Sequence, residues 1–149
     1  MQNLIIDDGL KEFMINGDKN RVIRFNPADI NLLERFDKAY KSIEEEQKKL
    51  EEDIELEADG KPVEEQEDYE QALEVIRRLN QFIKDQIDYI FDSEVSDVIF
   101  GNQSPMSTVK GRPFFERVFD AIQPILEKEI TAERKASEKR VSKYTGQIK

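Results

Sequence analysis

Histidine, cysteine and tryptophan are all missing from this chain, and the first two absences narrow its chemistry. Without cysteine there is no disulfide framework, thiolate nucleophile or thiolate metal site, which suits a cytoplasmic protein. Without histidine the commonest general base near neutral pH and the commonest zinc ligand are gone, so any catalysis would rest on carboxylates, Lys, Tyr or Ser. Long apolar runs are also lacking. No stretch of 18 apolar residues occurs, and the opening MQNLIIDDG has neither a basic segment nor a long apolar one, so no membrane span or signal peptide is expected. Positive charge is in deficit: 23 Lys and Arg stand against 33 Asp and Glu, for a net charge of −10. A nucleic-acid binder needs clustered Lys and Arg to displace counterions from phosphates, so nucleic acid is not an expected partner.

What is present points to helices. The 149 residues suffice for one domain with a core of its own, and charged and apolar residues each make up 38%, a balance that favours long solvated helices over an α/β globule. The expected fold class is mainly α: an antiparallel bundle of about three long helices and one short one, carrying a small N-terminal β-hairpin. Three segments follow, with the hairpin in 1–25, the helical domain in 26–130 and a basic helical or frayed tail in 131–149.

The hairpin is read from LKEFMI (Leu10 to Ile15) and RVIRF (Arg21 to Phe25), rich in β-branched and aromatic residues and separated by the turn formers Asn16 to Asn20. Leu4 to Ile6 is expected to add a third short strand. A lone hairpin is marginal in water, so it must lie on the helices or pair with another copy of the chain, and its edge is an assembly surface.

Asn26 and Pro27 predict a helix start, Asn as cap and Pro in the first turn. The apolar seam then steps by threes and fours through Leu33, Phe36, Tyr40, Ile43, Gln47, Leu50 and Ile54, with a turn at Gly60, Lys61 and Pro62. Between Glu44 and Glu70 there are 14 acidic residues and three lysines. Such a run reads either as the solvated face of a helical hairpin or as a docking surface for a basic partner.

Tyr69 to Gly101 has the broadest apolar face: Tyr69, Leu73, Ile76, Ile83, Ile87 and Ile90 recur at helical spacing, interrupted by Asn80. It is the predicted central helix. Asn80 is read as a partly exposed residue or as one fixing register. A short helix is expected over Ser93 to Phe100, a loop over Asn102 to Arg112, and a last helix from Pro113 that Pro124 interrupts and kinks. That helix should cover the central one through Phe115, Phe119 and Ile122. Phe114 and Val118 fall to one side, read as core or as an exposed apolar patch of the kind that marks a partner site. From Lys128 to Lys149, seven basic side chains outnumber three acidic ones, and this tail is expected to fold back on the acidic run of its own or a neighbouring molecule.

Chemical motifs are thin. Acid groupings such as Asp85 with Asp88, or Asp92 with Glu94, have helical spacing, but carboxylate metal sites in bundles draw Glu and His inward from several helices, and no His exists here. The loop from Gly101 to Gly111 lacks P-loop spacing. No catalytic residue, metal or cofactor is expected, and the chain is read as a non-enzyme.

The order of features resembles the small tail-assembly chaperones of phages and prophages of Gram-positive bacteria. FNPADINLLERFDKAYKSI (Phe25 to Ile43) opens the first helix, an acidic crossover follows, DYIFDSEVSDVIFGNQS (Asp88 to Ser104) carries an F(D/G)…IFG element at Phe91-Asp92 and Ile99-Phe100-Gly101, and an aromatic helix closes the chain. The resemblance implies a non-enzymatic protein that binds the tape-measure protein, keeps it soluble and helps tail-tube protein assemble in the host cytoplasm. Phe91, Phe100, Phe114, Val118 and Phe119 are its candidate partner-binding residues, the client being met where the last helix docks. The alternative is a structural, oligomer-forming tail or connector component of the particle.

Overall fold

In the computed structural model the described residues are 1–58 and 67–147. The chain builds strands β1 (Lys11–Ile15) and β2 (Asp18–Phe25), helices α1 (Ile30–Ala58), α2 (Glu67–Phe91) and α3 (Ser96–Phe100), strands β3 (Thr108–Val109) and β4 (Arg112–Pro113), and helix α4 (Phe114–Gln147). The architecture is mainly α, with three long helices, one short helix and a small N-terminal antiparallel hairpin. The predicted turn at Gly60 to Pro62 lies outside the described residues.

β1 and β2 pair antiparallel, Phe13 opposite Ile23 and Lys11 opposite Phe25, around the tight turn at Asn16 and Gly17. Both turn residues take positive φ, 53° and 73°, which the glycine adopts without steric cost. The hairpin lies on the helices. Its inner face stacks Phe13 on Phe25 with ring centroids 4.4 Å apart, and Phe25 packs on Phe91 at 5.0 Å. The expected third strand does not form: Leu4 to Ile6 pair with no strand and stand exposed.

Asn26 and Pro27 do not open α1 directly. The Asn26 side chain accepts the Ala28 N–H at 2.9 Å and its carbonyl accepts the Asp29 N–H, making a turn, and Asp29 then caps the helix by accepting the Asn31 N–H at 2.9 Å. The buried face of α1 is Leu32, Phe36, Ala39 and Ile43, with Leu33 and Leu50 half-buried beside it. Tyr40 sits on the margin, where Phe119 of α4 meets both Phe36 and Tyr40 edge-on, at 4.8 and 5.2 Å.

The core of α2 is Leu79, Ile83, Ile87, Ile90 and Phe91. Further along α4, Glu129 pairs with Lys11 at 3.1 Å, next to the strand end that leads into α1. Helix α4 therefore runs antiparallel to α1 and leaves the body past its N-terminal end. Thr131–Gln147 then extends roughly 25 Å at 1.5 Å per residue, away from the described acidic residues of α1. Pro124 does not break this helix. It lies on the exposed side, where the missing N–H leaves a carbonyl to water, while Ile122 and Leu126 on either side hold the helix to the core.

Candidate functional site

The F(D/G)…IFG element is the most densely bonded junction of the fold. Asp88, one turn before the end of α2, accepts the N–H groups of Val95 and Ser96 at 2.9 and 2.7 Å and the Ser96 hydroxyl at 3.1 Å. It thus caps α3 from a neighbouring helix, which Val95 cannot do for itself. The helix starts at Ser96, three residues later than Ser93, the predicted start. Asp92 takes φ 49° to end α2, and Gly101 takes φ 62° and ψ −131°, a combination essentially reserved for glycine. Two arginines complete the junction through terminal carbonyls: Arg35 donates to Ile90 O at 2.9 Å, and Arg21 donates to Val98 O at 2.8 Å and also to Ile99 O. These contacts reach across 55 to 78 positions of sequence, and no local pattern announces them.

With Asp88 so engaged, replacing it by alanine strands two buried-side N–H donors and a hydroxyl. Charge-assisted bonds of this kind contribute about 1.5–3 kcal/mol each, not additively, and a total loss of about 2–4 kcal/mol is expected in chemical denaturation. A midpoint unchanged from wild type would show that α3 is capped by other means.

The loop after α3 is more ordered than its composition suggests. Ser104 donates its hydroxyl to Asn80 Oδ1 at 2.7 Å and accepts the Met106 N–H, so Asn80 anchors the loop to α2. Pro105 is buried and its carbonyl accepts the Phe115 N–H at 2.9 Å, starting α4. Thr108 and Val109 pair with Pro113 and Arg112, so Pro113 belongs to a strand and α4 opens at Phe114.

The five candidate partner-binding residues converge on one region, but inside it. Phe91, Phe100, Val118 and Phe119 are buried, and Phe114 is half-buried, with its ring edge-on to Phe100 at 5.1 Å and the Arg117 guanidinium 4.8 Å above its face. Of the two readings of Phe114 and Val118, core or exposed patch, the structure shows core packing. Phe114 is covered by Phe100 of α3, and the Pro105 carbonyl holds the turn against the start of α4 by accepting the Phe115 N–H.

Exposed apolar surface lies elsewhere, at the far end of α2. The stripe that is buried from Leu79 onward continues toward the N-terminus of α2 as Ile76, Leu73 and Tyr69; there Tyr69 is 66% and Ile76 45% exposed, with Leu73 half-buried. Helix α4 begins beside Tyr40 and Pro105 and runs the other way, so among the described residues no third helix covers this half of the α1–α2 hairpin as α4 covers the rest. Glu44, Glu45, Glu51 and Glu52 of α1 and Glu70 and Glu74 of α2 are exposed along the same half.

The acids give little support for chemistry. Asp85 accepts the Gln81 amide, Asp88 is a cap, and among the described residues no group of three acidic side chains could hold a metal ion. Nor is any helix of the described residues long and apolar enough to cross a membrane.

One electrostatic perturbation stands out. The Tyr40 hydroxyl is held above its ordinary value of 10.0, first by its hydrogen bond to Glu44, then by burial and by the charges of Glu44, Glu116 and Asp120. A raised acid keeps its contribution to stability below the unfolded value and loses it as pH rises through the folded one. Glu44→Gln is expected to bring the Tyr40 midpoint down, read as tyrosinate absorbance against a Tyr40→Phe control. An unmoved midpoint would remove Glu44 as the cause.

No curated protein and no solved structure matches the chain. Residues 18–148, which span both long bundle helices, the capped junction and α4, match a family of unknown function (DUF6673), and the chain belongs to that family.

Proposed function

We propose that this protein is a non-enzymatic assembly chaperone of a phage or prophage tail, acting in the host cytoplasm by binding the helical tape-measure protein and releasing it to tail-tube subunits. The observation that carries the reading is the open half of the α1–α2 hairpin: an apolar stripe, Tyr69, Leu73 and Ile76, continuous with the core, flanked by exposed acids and without a third helix among the described residues. Two helices with one place vacant are the geometry of helix-in-groove recognition, and the acidic margins select a client helix with basic flanks. On this reading the client lies away from Phe91, Phe100, Phe114, Val118 and Phe119, which stay in the core, and binding does not require α4 to leave.

Co-expression with the tape-measure protein of the same gene cluster tests the reading. The client is expected to become soluble and to co-purify with the chaperone, with the complex weakening as salt is raised. A client that stays insoluble and leaves nothing bound would remove the basis of the proposal.

A further inference from the structure

The most exposed apolar segment of the described chain is the N-terminal arm, where Leu4, Ile5 and Ile6 are 86%, 92% and 76% exposed. Three large aliphatic residues in a row serve no purpose in a solvated single strand, since alternate side chains point to opposite faces and a lone chain covers neither. Yet the base of the arm is carefully built. Gly9 takes φ +73°, and a Cβ there would meet Asn26 Nδ2 at 2.7 Å, so the backbone passes against Asn26 more closely than any other residue allows. Asn26 Nδ2 donates to Asp8 O at 3.2 Å, and the Asp7 and Asp8 carboxylates accept the N–H groups of Gly9 and Leu10. The base of the arm is thereby tied to the start of α1, and the arm itself pairs with no strand of its own hairpin.

The same chain carries an acceptor for such an arm. Among the described residues β1 pairs only with β2, which leaves its outer edge with unbonded backbone groups, and Leu10 and Met14 are exposed next to it. Going beyond the chaperone reading and independent of it, we propose that Leu4–Ile6 is an exchanged strand: the arm of one copy adds to the free β1 edge of a second copy, which returns the same contact.

A donor and an acceptor on one chain, each used once, close as a two-fold dimer. Size sets the strength of this contact. Burying a Leu or Ile side chain contributes about 1.5–3 kcal/mol, which at about 25 cal/mol per Å² is roughly 60–120 Å² of apolar surface. Because side chains alternate, an added strand buries Leu4 and Ile6 on one face and leaves Ile5 on the other, so two arms with matching surface on the partner bury about 500–1,000 Å², below the roughly 1,200–2,000 Å² of specific stable interfaces and in the range of a weak, transient one once backbone pairing is added. A reversible, concentration-dependent dimer is the expected result.

Sedimentation velocity on the full chain, from low micromolar to several hundred micromolar, tests this. The chain should pass from monomer to dimer, and L4S/I5S/I6S should raise the dimer dissociation constant at least about tenfold while helicity and thermal midpoint stay at wild-type values, because these side chains touch no core residue. Since the chain has no cysteine, a single Ile5→Cys variant can carry a photo-crosslinker at one defined place. Cross-links from position 5 to residues 10–15 of a second copy would support the exchange. A monomer at every concentration, a dimer unaffected by the triple substitution, or cross-links that fall on α2 or within the same copy would overturn it.

Discussion

Replacing Phe100 by alanine is expected to cost about 3–5 kcal/mol of stability, the range for emptying a fully buried aromatic site. Phe100 is 1% exposed and packs between α3, the hairpin side of the core and the Phe114 ring, so the cavity opens where three elements meet. For a domain of this size a loss of that order brings the thermal midpoint down by roughly 10–20 °C, or leaves the protein unfolded at the outset. Phe119→Ala belongs to the same class, because its ring fills the space between Phe36 and Tyr40. The measurement is denaturant unfolding of each variant beside wild type. Were Phe100→Ala as stable as wild type, the residue would be a surface contact held in reserve for a partner, as its place in the F(D/G)…IFG element first suggested.

The opposite pattern is expected at the open groove. Tyr69→Asp together with Ile76→Asp should weaken client binding by at least about two orders of magnitude, since truncated or charged anchors at the centre of an interface each cost 2 kcal/mol or more. Stability should hardly change: both side chains are exposed in the free protein, and surface substitutions away from special contacts stay within about 0.5 kcal/mol. Pull-down of the co-expressed client, with thermal denaturation as the control, separates the two. Undiminished binding by the double variant would place the client on another face.

The helices were legible because their signals are periodic and local. Phe36 and Ile43 of α1, and Ile83, Ile87 and Ile90 of α2, are buried where the spacing put them, and the hairpin was marked by Asn16 and Gly17 between two β-rich runs. Periodicity reports which residues share a face, however, not whether a neighbour covers it. Tyr69 and Ile76 belong to the same stripe as Ile83 and are exposed only because α4 runs toward Lys11 rather than along the far half of α2.

The same limit applies to Phe114, whose ring meets Phe100 of α3, and to the loop between them, which Ser104 anchors to Asn80 across 24 positions. Leu4 to Ile6 have strand composition but no strand, because a strand needs a partner edge and the segment pairs with neither β1 nor β2. The F(D/G)…IFG motif was visible as a pattern, and its physical content is the Asp88 cap, the Gly101 backbone and two buried phenylalanines.

These pieces separate two tasks along one hairpin. Its lower half is fastened by α4, the capped junction and β1–β2 into a core that is not available to a partner without unfolding. Its upper half is left open, apolar along α2 and acidic along its margins. On the proposed function, a client helix docking there would complete the three-helix arrangement already built below.

Hydrogen–deuterium exchange of the full chain with and without the client is the most direct test of that division. Docking in the open groove predicts slowed exchange over Tyr69 to Arg78 on α2 and over the facing residues Glu44 to Glu52 of α1, with Phe114 to Leu126 of α4 unchanged. Faster exchange in Phe114 to Leu126 on binding, with no protection over Tyr69 to Arg78, would mean that the client displaces α4 and would contradict the account.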